Sequence, residues 1–424
     1  MNNRTEPRTG SGTAGPRSTG LRADGLRSEL VRQSNLAAIL NTVHLAGALS
    51  RSDLVMRTGL SRSAVGALVG ELADLNLVIE TRSPSDGSPG RPSPNVKVHA
   101  SGNVVLAMEV LVDSVAVAAV GLGGSLLLSV RSDRPRAHLP AHRTVQDLSD
   151  LARQITARLP ADCGVFGVGV AVAGLVRRTD NMVLVAPNIG WHDVPLGALL
   201  GDALHLDVPI MASNDADLGA LAESRRGAAA GLNDVLYVSG EVGVGGGVIS
   251  GGRAMSGAGG FAGEIGHIPV NMDGLLCKCG AMGCWETEIG EEALLRRCSK
   301  PPDGGRAAIQ DVLEAAARGD RQVLEAMKEQ GRWIGIGLAG LVNVLDPSTV
   351  VLGGLLERIF PHVIESIEAE LAVRVMPAIR EGVRVVPAAL GVDAPLLGAA
   401  ELAWEPILTD PAAANRWRVA ANGS

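Results

Sequence analysis

Gly263-Glu264-Ile265-Gly266-His267, with Cys277-Lys278-Cys279-Gly280-Ala281-Met282-Gly283-Cys284-Trp285-Glu286 close behind it, decides how the rest of this chain is read. The stretch sets one imidazole and three thiols near one another in a glycine-rich segment, and it holds three of the chain's five cysteines. One histidine with three cysteines, here His267, Cys277, Cys279 and Cys284, is a complete tetrahedral set for Zn2+ and leaves no position open for a catalytic water. The predicted role of the metal is therefore structural, pinning a loop that would otherwise move. Three reduced core thiols beside an unrelated histidine are the bland alternative, and the spacing argues against it. Glu264 and Glu286 flank the knot without being needed to complete it, so both are free to face a ligand.

As a pattern, Gly-Glu-x-Gly-His followed by Cys-x-Cys-Gly-x-x-Gly-Cys-x-Glu resembles the zinc-binding signature of the ROK family. That family holds sugar kinases and sugar-responsive repressors on one actin-like, two-lobed fold, and the resemblance covers residues 101–405. It implies an α/β chain: a winged helix-turn-helix over residues 28–100, then a ROK domain over 101–410. Within that domain the small lobe is expected at 101–213 with a returning C-terminal helix at 393–408, and the large lobe at 214–392. Residues 1–27 and 411–424 read as tails.

Composition agrees with a large chain of more than one domain. Hydrophobic residues make up 46% but aromatics only 2%, so the core must be built from Ala, Val, Leu and Gly. A single tyrosine argues against an aromatic platform for stacking sugars or bases. The two remaining cysteines, Cys163 and Cys298, read as buried reduced thiols, which suits a reducing cytoplasm. The first residues lack the apolar segment of a signal peptide. Val104–Val130 is apolar enough to raise the question of a membrane span. Glu109 and Asp113 interrupt it, and Gly121-Leu122-Gly123-Gly124 breaks it with a turn, so buried hairpin strands are predicted instead and no membrane partner.

Charge is uneven. Residues 1–100 carry 12 Arg/Lys against 8 Asp/Glu, whereas the remainder carries 26 against 37. A basic front on an acidic body points to a polyanion met by the front end alone. Leu36, Ile39, Leu40 and Val43 recur at helical spacing; Ser50 can cap a second helix that closes near Gly59, and Ser61 a third whose Val65, Leu68, Val69 and Leu72 form a buried stripe. The short link between the last two suits a helix-turn-helix. Placed in a major groove, the third helix would present Ser63, Gly66 and Ala67, with Arg62 at its start. Leu77–Glu80 and Asn95–Val98 read as wing strands, and Arg91 in the loop between them as a minor-groove contact. A helical dimerisation module is the competing reading. The order of elements also resembles the winged domain of ROK repressors, which their kinase relatives lack.

In the body, Asn214-Asp215 follows the strand-like Val208-Pro209-Ile210. An amide beside a carboxylate supplies the donors and acceptors that vicinal hydroxyls need, although Asn-Asp before a helix is also an ordinary N-cap. The resemblance implies that Asn214, Asp215, Glu264, His267 and Glu286 bind a sugar, His267 holding the metal with its other nitrogen, and that Asp215 would be the base if the chain were a kinase. ROK kinases carry Asp-x-Gly-Gly-Thr at the first strand, whereas this chain has Glu109-Val110-Leu111-Val112-Asp113. Branched side chains replace both glycines, and a carboxylate replaces the hydroxyl, which opposes a bound phosphate. The second loop, Gly243–Gly247, survives, but glycines alone also make a tight hairpin. The reading is thus a sugar-responsive regulator, working as a homodimer or homotetramer on a palindromic double-stranded DNA operator. A sugar kinase with an appended DNA-binding domain is the alternative. A regulator that answers to another protein is a third.

Overall fold

Helix α1 (Gly20–Ala46) opens the computed structural model, which describes residues 20–81, 94–136, 140–417 and 419–420. The expected tail of 1–27 is thereby shortened, because residues 20–27 already belong to this helix. A short strand β1 (Ala48–Ser50) leads into α2 (Arg51–Thr58) and α3 (Arg62–Asp74). Local chemistry sets these boundaries. The Ser50 hydroxyl accepts from the Asp53 amide while the Asp53 carboxylate accepts from the Ser50 amide, a reciprocal cap. Gly59 closes α2, and Ser61 caps α3 through the Ala64 amide.

Strands β2 (Val78–Thr81) and β3 (Asn95–Val98) form the wing, with β1 added on the far side of β3. The wing loop that holds Arg91 lies outside the described residues. Leu36, Ile39, Leu40, Val43, Val65 and Leu72 are fully buried, each stabilising the module by about 1.5–3 kcal/mol.

The small lobe is built on β4 (Asn103–Val110), β5 (Ser114–Gly121) and β6 (Ser125–Asp133), three antiparallel neighbours where the apolar stretch predicted buried hairpins. After α4 (Ala141–Thr156), strand β7 (Gly164–Val172) runs parallel to β4 and is buried along its whole length. The apolar sequence runs on past Val172 to Val176, but not as one strand. It breaks at Ala173-Gly174, and β8 (Leu175–Arg177) joins β9 (Met182–Ala186) and β10 (Trp191–Val194) in a separate sheet. Helix α5 (Leu196–Leu204) then leads to β11 (Ile210–Asn214), parallel to β7.

Helix α6 (Asp215–Arg226) crosses into the large lobe, whose sheet holds β12 (Val235–Gly240), β13 (Val244–Ser250) and β14 (Arg253–Ala254). Helices α7 (Glu286–Ile289), α8 (Glu291–Arg297), α9 (Gly305–Ala317) and α10 (Arg321–Leu345) follow. Strand β15 (Thr349–Gly354) pairs parallel with β12, and after α11 (Leu355–Arg374) and α12 (Pro377–Arg380) strand β16 (Arg384–Pro387) completes the sheet. Trp285, Leu294, Ile334, Leu338, Leu356 and Ile367 belong to the core of this lobe.

Helix α13 (Ala394–Thr409) returns to the small lobe and packs on β4, β7 and α6. The chain does not fray there, as the sequence suggested. Pro411, Ala413 and Ala414 are buried, α14 (Ala414–Trp417) follows, and β17 (Val419–Ala420) pairs with Val165 and Gly164 of β7. One apolar cluster runs without a break from Leu36 and Val43 of α1 through Val105 and Phe166 to Trp404, Ile407 and Ala413. The front module therefore shares a core with the small lobe. Among the described residues no helix is long and apolar enough to cross a membrane.

Candidate ligand and metal site

Between β14 and α7 the chain folds back on itself through single bridges, Pro269 to Cys284 and Leu276 to Met282. Gly283 has a left-handed φ of 66°, and a side chain there would overlap the Asn271 carbonyl, so the second glycine of the cysteine motif is a steric requirement. This path brings the ligand atoms of His267, Cys277, Cys279 and Cys284 within 4.8 Å of one another. Sγ of Cys279 and Cys284 are 3.7 Å apart, as are Sγ of Cys277 and Nδ1 of His267. A tetrahedron with metal–sulfur bonds of about 2.3 Å has edges of about 3.7 Å, so these two pairs already match it. All five cysteines are free thiols, and Cys163 and Cys298 are buried as expected. Trp285 ties the knot to the large lobe: it is fully buried, and its Nε1 donates to the Trp333 carbonyl at 2.9 Å.

Nε2 of His267 points the other way, toward Glu264 Oε2 at 3.8 Å. Glu286 Oε2 accepts from the Val244 amide at 3.0 Å, which fixes one oxygen and leaves Oε1 facing Cys277 at 3.6 Å. Asn214 ends β11 and caps α6, its Oδ1 accepting from the Ala216 and Asp217 amides at 2.8 and 3.3 Å and its Nδ2 donating to the Gly174 carbonyl. The cap reading therefore holds for this residue, and one Nδ2 proton remains for a ligand. Asp215 Oδ1 accepts from the Ala216 amide. Burial pushes the Asp215 and Glu264 carboxyls above their ordinary range, and each interacts electrostatically with its neighbours in the cleft: Glu264 with Asp215, and with Glu286. Asp215, Glu264, His267 and Glu286 thus come near one another where α6 meets the metal loop, the candidate cleft.

Two further polar residues sit beside it. Asp217, one position past Ala216, has its carboxyl pushed up to about 7 by burial, against the pull of Arg178. Asn188 follows β9, accepts from Lys278 Nζ at 3.3 Å, and lies against Gly243 next to Glu286. The Asn-Asp-Ala-Asp spacing could have drawn attention to Asp217. A single Asn in a turn carries no such signal. The shift at Asp217 has a measurable sign. Its ionised form is penalised only in the folded state, so the cost is absent below about pH 4, grows as pH rises, and is complete above about 7. Asp217→Asn removes it, so the variant's stability advantage in urea denaturation is expected to widen from pH 5 to pH 8. A constant gap across that range would contradict the buried carboxylate.

At Glu109–Asp113, Asp113 is taken up by ion pairs rather than facing an open loop. It pairs with Arg136 at 3.2 Å and Arg306 at 2.8 Å, and Arg136 is also held at 2.6 Å by Glu291 of the large lobe. Glu109 is buried beneath Arg131, 2.7 Å away, with its carboxyl pushed up to about 7 by burial. Gly243 precedes β13, and Val244–Gly247 form its start, paired with β12. Ala216 and Ala220 of α6 press directly on Gly245 and Gly247, so the run is explained by close helix packing. On α3, Arg62, Ser63 and Ala67 are exposed and Gly66 half-exposed, all on the face opposite the buried stripe.

The sequence model of the ROK family matches residues 105–405, and the chain belongs to that family. A model of the MarR family matches residues 37–87, which span the helix-turn-helix. The xylose repressor of Bacillus spizizenii is 30% identical over 383 residues, covering 89% of this chain and 97% of its own. A crystal structure of a ROK family transcriptional regulator, described as a homolog of the E. coli MLC protein, is 25% identical, with a TM-score of 0.73 over 90% of this chain and 97% of that one. A ROK family glucokinase from Streptomyces griseus, solved with glucose and AMPPNP, is 30% identical, with a TM-score of 0.63 over 71% of this chain and 99% of its own.

Proposed function

We propose that the chain is a sugar-responsive, DNA-binding transcriptional regulator of carbohydrate metabolism, acting as a repressor, with a structural zinc and no working ATP site. One observation carries this reading. A winged helix-turn-helix shares its core with a ROK-family body. In this reading Asn214, Asp215, Glu264, His267 and Glu286 line the sugar cleft, and the ion pairs of Asp113 take the place that a phosphate loop would need. His267, Cys277, Cys279 and Cys284 hold the zinc, whose two positive charges draw the thiolates together and fix the His267 ring toward the cleft. Arg62, Ser63, Gly66 and Ala67 meet the major groove, and Arg91 the minor groove. The effector is a monosaccharide or its derivative, with xylose first to be tried because full-length relatives are described as xylose repressors. The protein works as a homodimer or homotetramer whose symmetry matches a palindromic operator.

Calorimetric titration with ATP–magnesium and then with a panel of monosaccharides tests this. Sugar binding without nucleotide binding is expected, together with sugar-dependent affinity for a duplex selected from a randomised pool. The kinase reading is favoured by Asp215 at the cleft and by the glucokinase likeness, and sugar-dependent ATP hydrolysis by the pure protein would establish it instead.

A further inference from the structure

Helix α6 touches both ends of the regulatory problem. Its first residue, Asp215, lies in the cleft, and its last two, Arg225 and Arg226, reach a buried polar cluster beneath α1. Glu401 of α13 is the centre of that cluster. It accepts from Arg226 Nε at 2.6 Å, from Arg225 Nη1 at 2.7 Å and from His44 Nε2 at 3.0 Å. His44 sits in the last turn of α1, its Nδ1 accepts from the Gly123 amide at 3.0 Å, and its Nε2 lies against both Glu401 Oε2 at 3.0 Å and Arg226 Nη2 at 2.6 Å. Arg226 Nη1 also donates to the His44 carbonyl at 3.3 Å, one of the carbonyls that the end of α1 leaves unpaired. Both His44 and Glu401 are about 1% exposed, so no water substitutes for a lost partner.

Apart from Asn41 Nδ2, which donates to the Leu408 carbonyl at 2.7 Å, the packing of α1 on the body is largely apolar, within one cluster that holds Leu36, Leu40, Val43, Trp404, Ile407 and Leu408. Apolar contacts have little direction and tolerate a small slide. A carboxylate held by three donors does not. α6 is also locked against α13, since a side chain at Gly398 would overlap the Leu218 carbonyl. A shift of α6 that follows ligand capture at its first turn therefore carries Arg225, Arg226 and Glu401 of α13 together, and must either take His44 and the end of α1 with them or break the contacts of His44 with Glu401 and Arg226.

Resting on the regulator reading above, we propose that α6 and the cluster of Glu401, Arg225, Arg226 and His44 form the joint by which occupancy of the cleft sets the orientation of α1 and the helix-turn-helix. Glu401, Arg226 and His44 are positioning residues that touch neither sugar nor DNA. The joint is tested with Glu401→Gln and, because a buried substitution can impair folding, with Arg225→Gln at the partly exposed edge of the cluster. D-xylose and D-glucose are the probes, with a duplex selected by the sugar-free parent. In both variants sugar affinity, by calorimetry, and sugar-free DNA affinity are expected to stay within about threefold of the parent. The ratio of DNA affinities with and without sugar should collapse toward 1 from a parental value in the usual coupling range of about 5–150. Linkage requires the effect of DNA on sugar affinity to vanish equally, a readout that a purely structural role would not move. A responsive parent whose variants respond equally would overturn the joint alone. A parent unmoved by either sugar, though it binds both sugar and DNA, would overturn the regulator reading and the joint with it.

Discussion

Cys284→Ser is expected to lower bound zinc from one ion per chain to nearly none, and to weaken sugar binding by about 10- to 100-fold, the loss usual when groups that support a metal site are removed. The reason lies in what the knot supports. In the proposed site His267 is both ligand to the metal and wall of the cleft, Glu264 stands three residues before it, and Glu286 two residues after Cys284. Once the thiols are released, these three groups keep only isolated bridges and single bonds, such as Trp285 N–H to the Ile268 carbonyl and the Val244 amide to Glu286, with no regular strand pairing to hold them in register. Structural zinc contributes about 10–16 kcal/mol to folding in isolated zinc-finger peptides. Here the large-lobe core around Trp285 and Leu338 persists without the metal, so the chain should still unfold cooperatively, at a lower midpoint. Metal analysis, calorimetry and a melting curve on one preparation check all three points. Full zinc content with parental sugar affinity in the variant would remove His267 and the cysteines from the site.

The second large effect is at Asp215. Its Oδ1 is already engaged by the Ala216 amide, which leaves Oδ2 as the oxygen to accept from a sugar hydroxyl in the proposed site. A hydrogen bond from a hydroxyl to a charged acceptor contributes about 1.5–3 kcal/mol, so Asp215→Ala should raise the sugar Kd by about 10- to 150-fold. Because Asn214, not Asp215, supplies the main cap of α6, the variant should lose little stability. That separation is what makes the test informative. Parental affinity in a folded Asp215→Ala protein would place the sugar elsewhere or show that the cleft is vestigial.

Features that depend on neighbours in sequence were legible before the structure. Ser50, Gly59 and Ser61 mark helix ends through bonds spanning two to four residues, and the histidine and three cysteines that could hold a metal come together within one short segment. Where the sequence misled, the deciding contacts were distant. Residues 20–27 join α1, and the last described residues are ordered by β7, far away in the chain. The ion pairs of Asp113 with Arg136 and Arg306, and those of Glu401 with Arg225, Arg226 and His44, link segments between 23 and 357 residues apart, and no periodicity announces them. Gly245 and Gly247 show the same limit from the other side: a run that read as a phosphate loop or a hairpin also serves as the floor for α6.

The apolar cluster joining α1 to Trp404 and Ile407 bears on how such a chain can be cut and recombined. A front piece ending near residue 100 would leave Leu36, Leu40 and Val43 wet on one fragment and Trp404, Ile407 and Leu408 wet on the other, and both would be prone to aggregate. The module is therefore not an interchangeable cartridge. Any chimaera that transplants the DNA-reading end onto another body must carry the outer face of α13 and the closing segment through Ala414 as part of the graft.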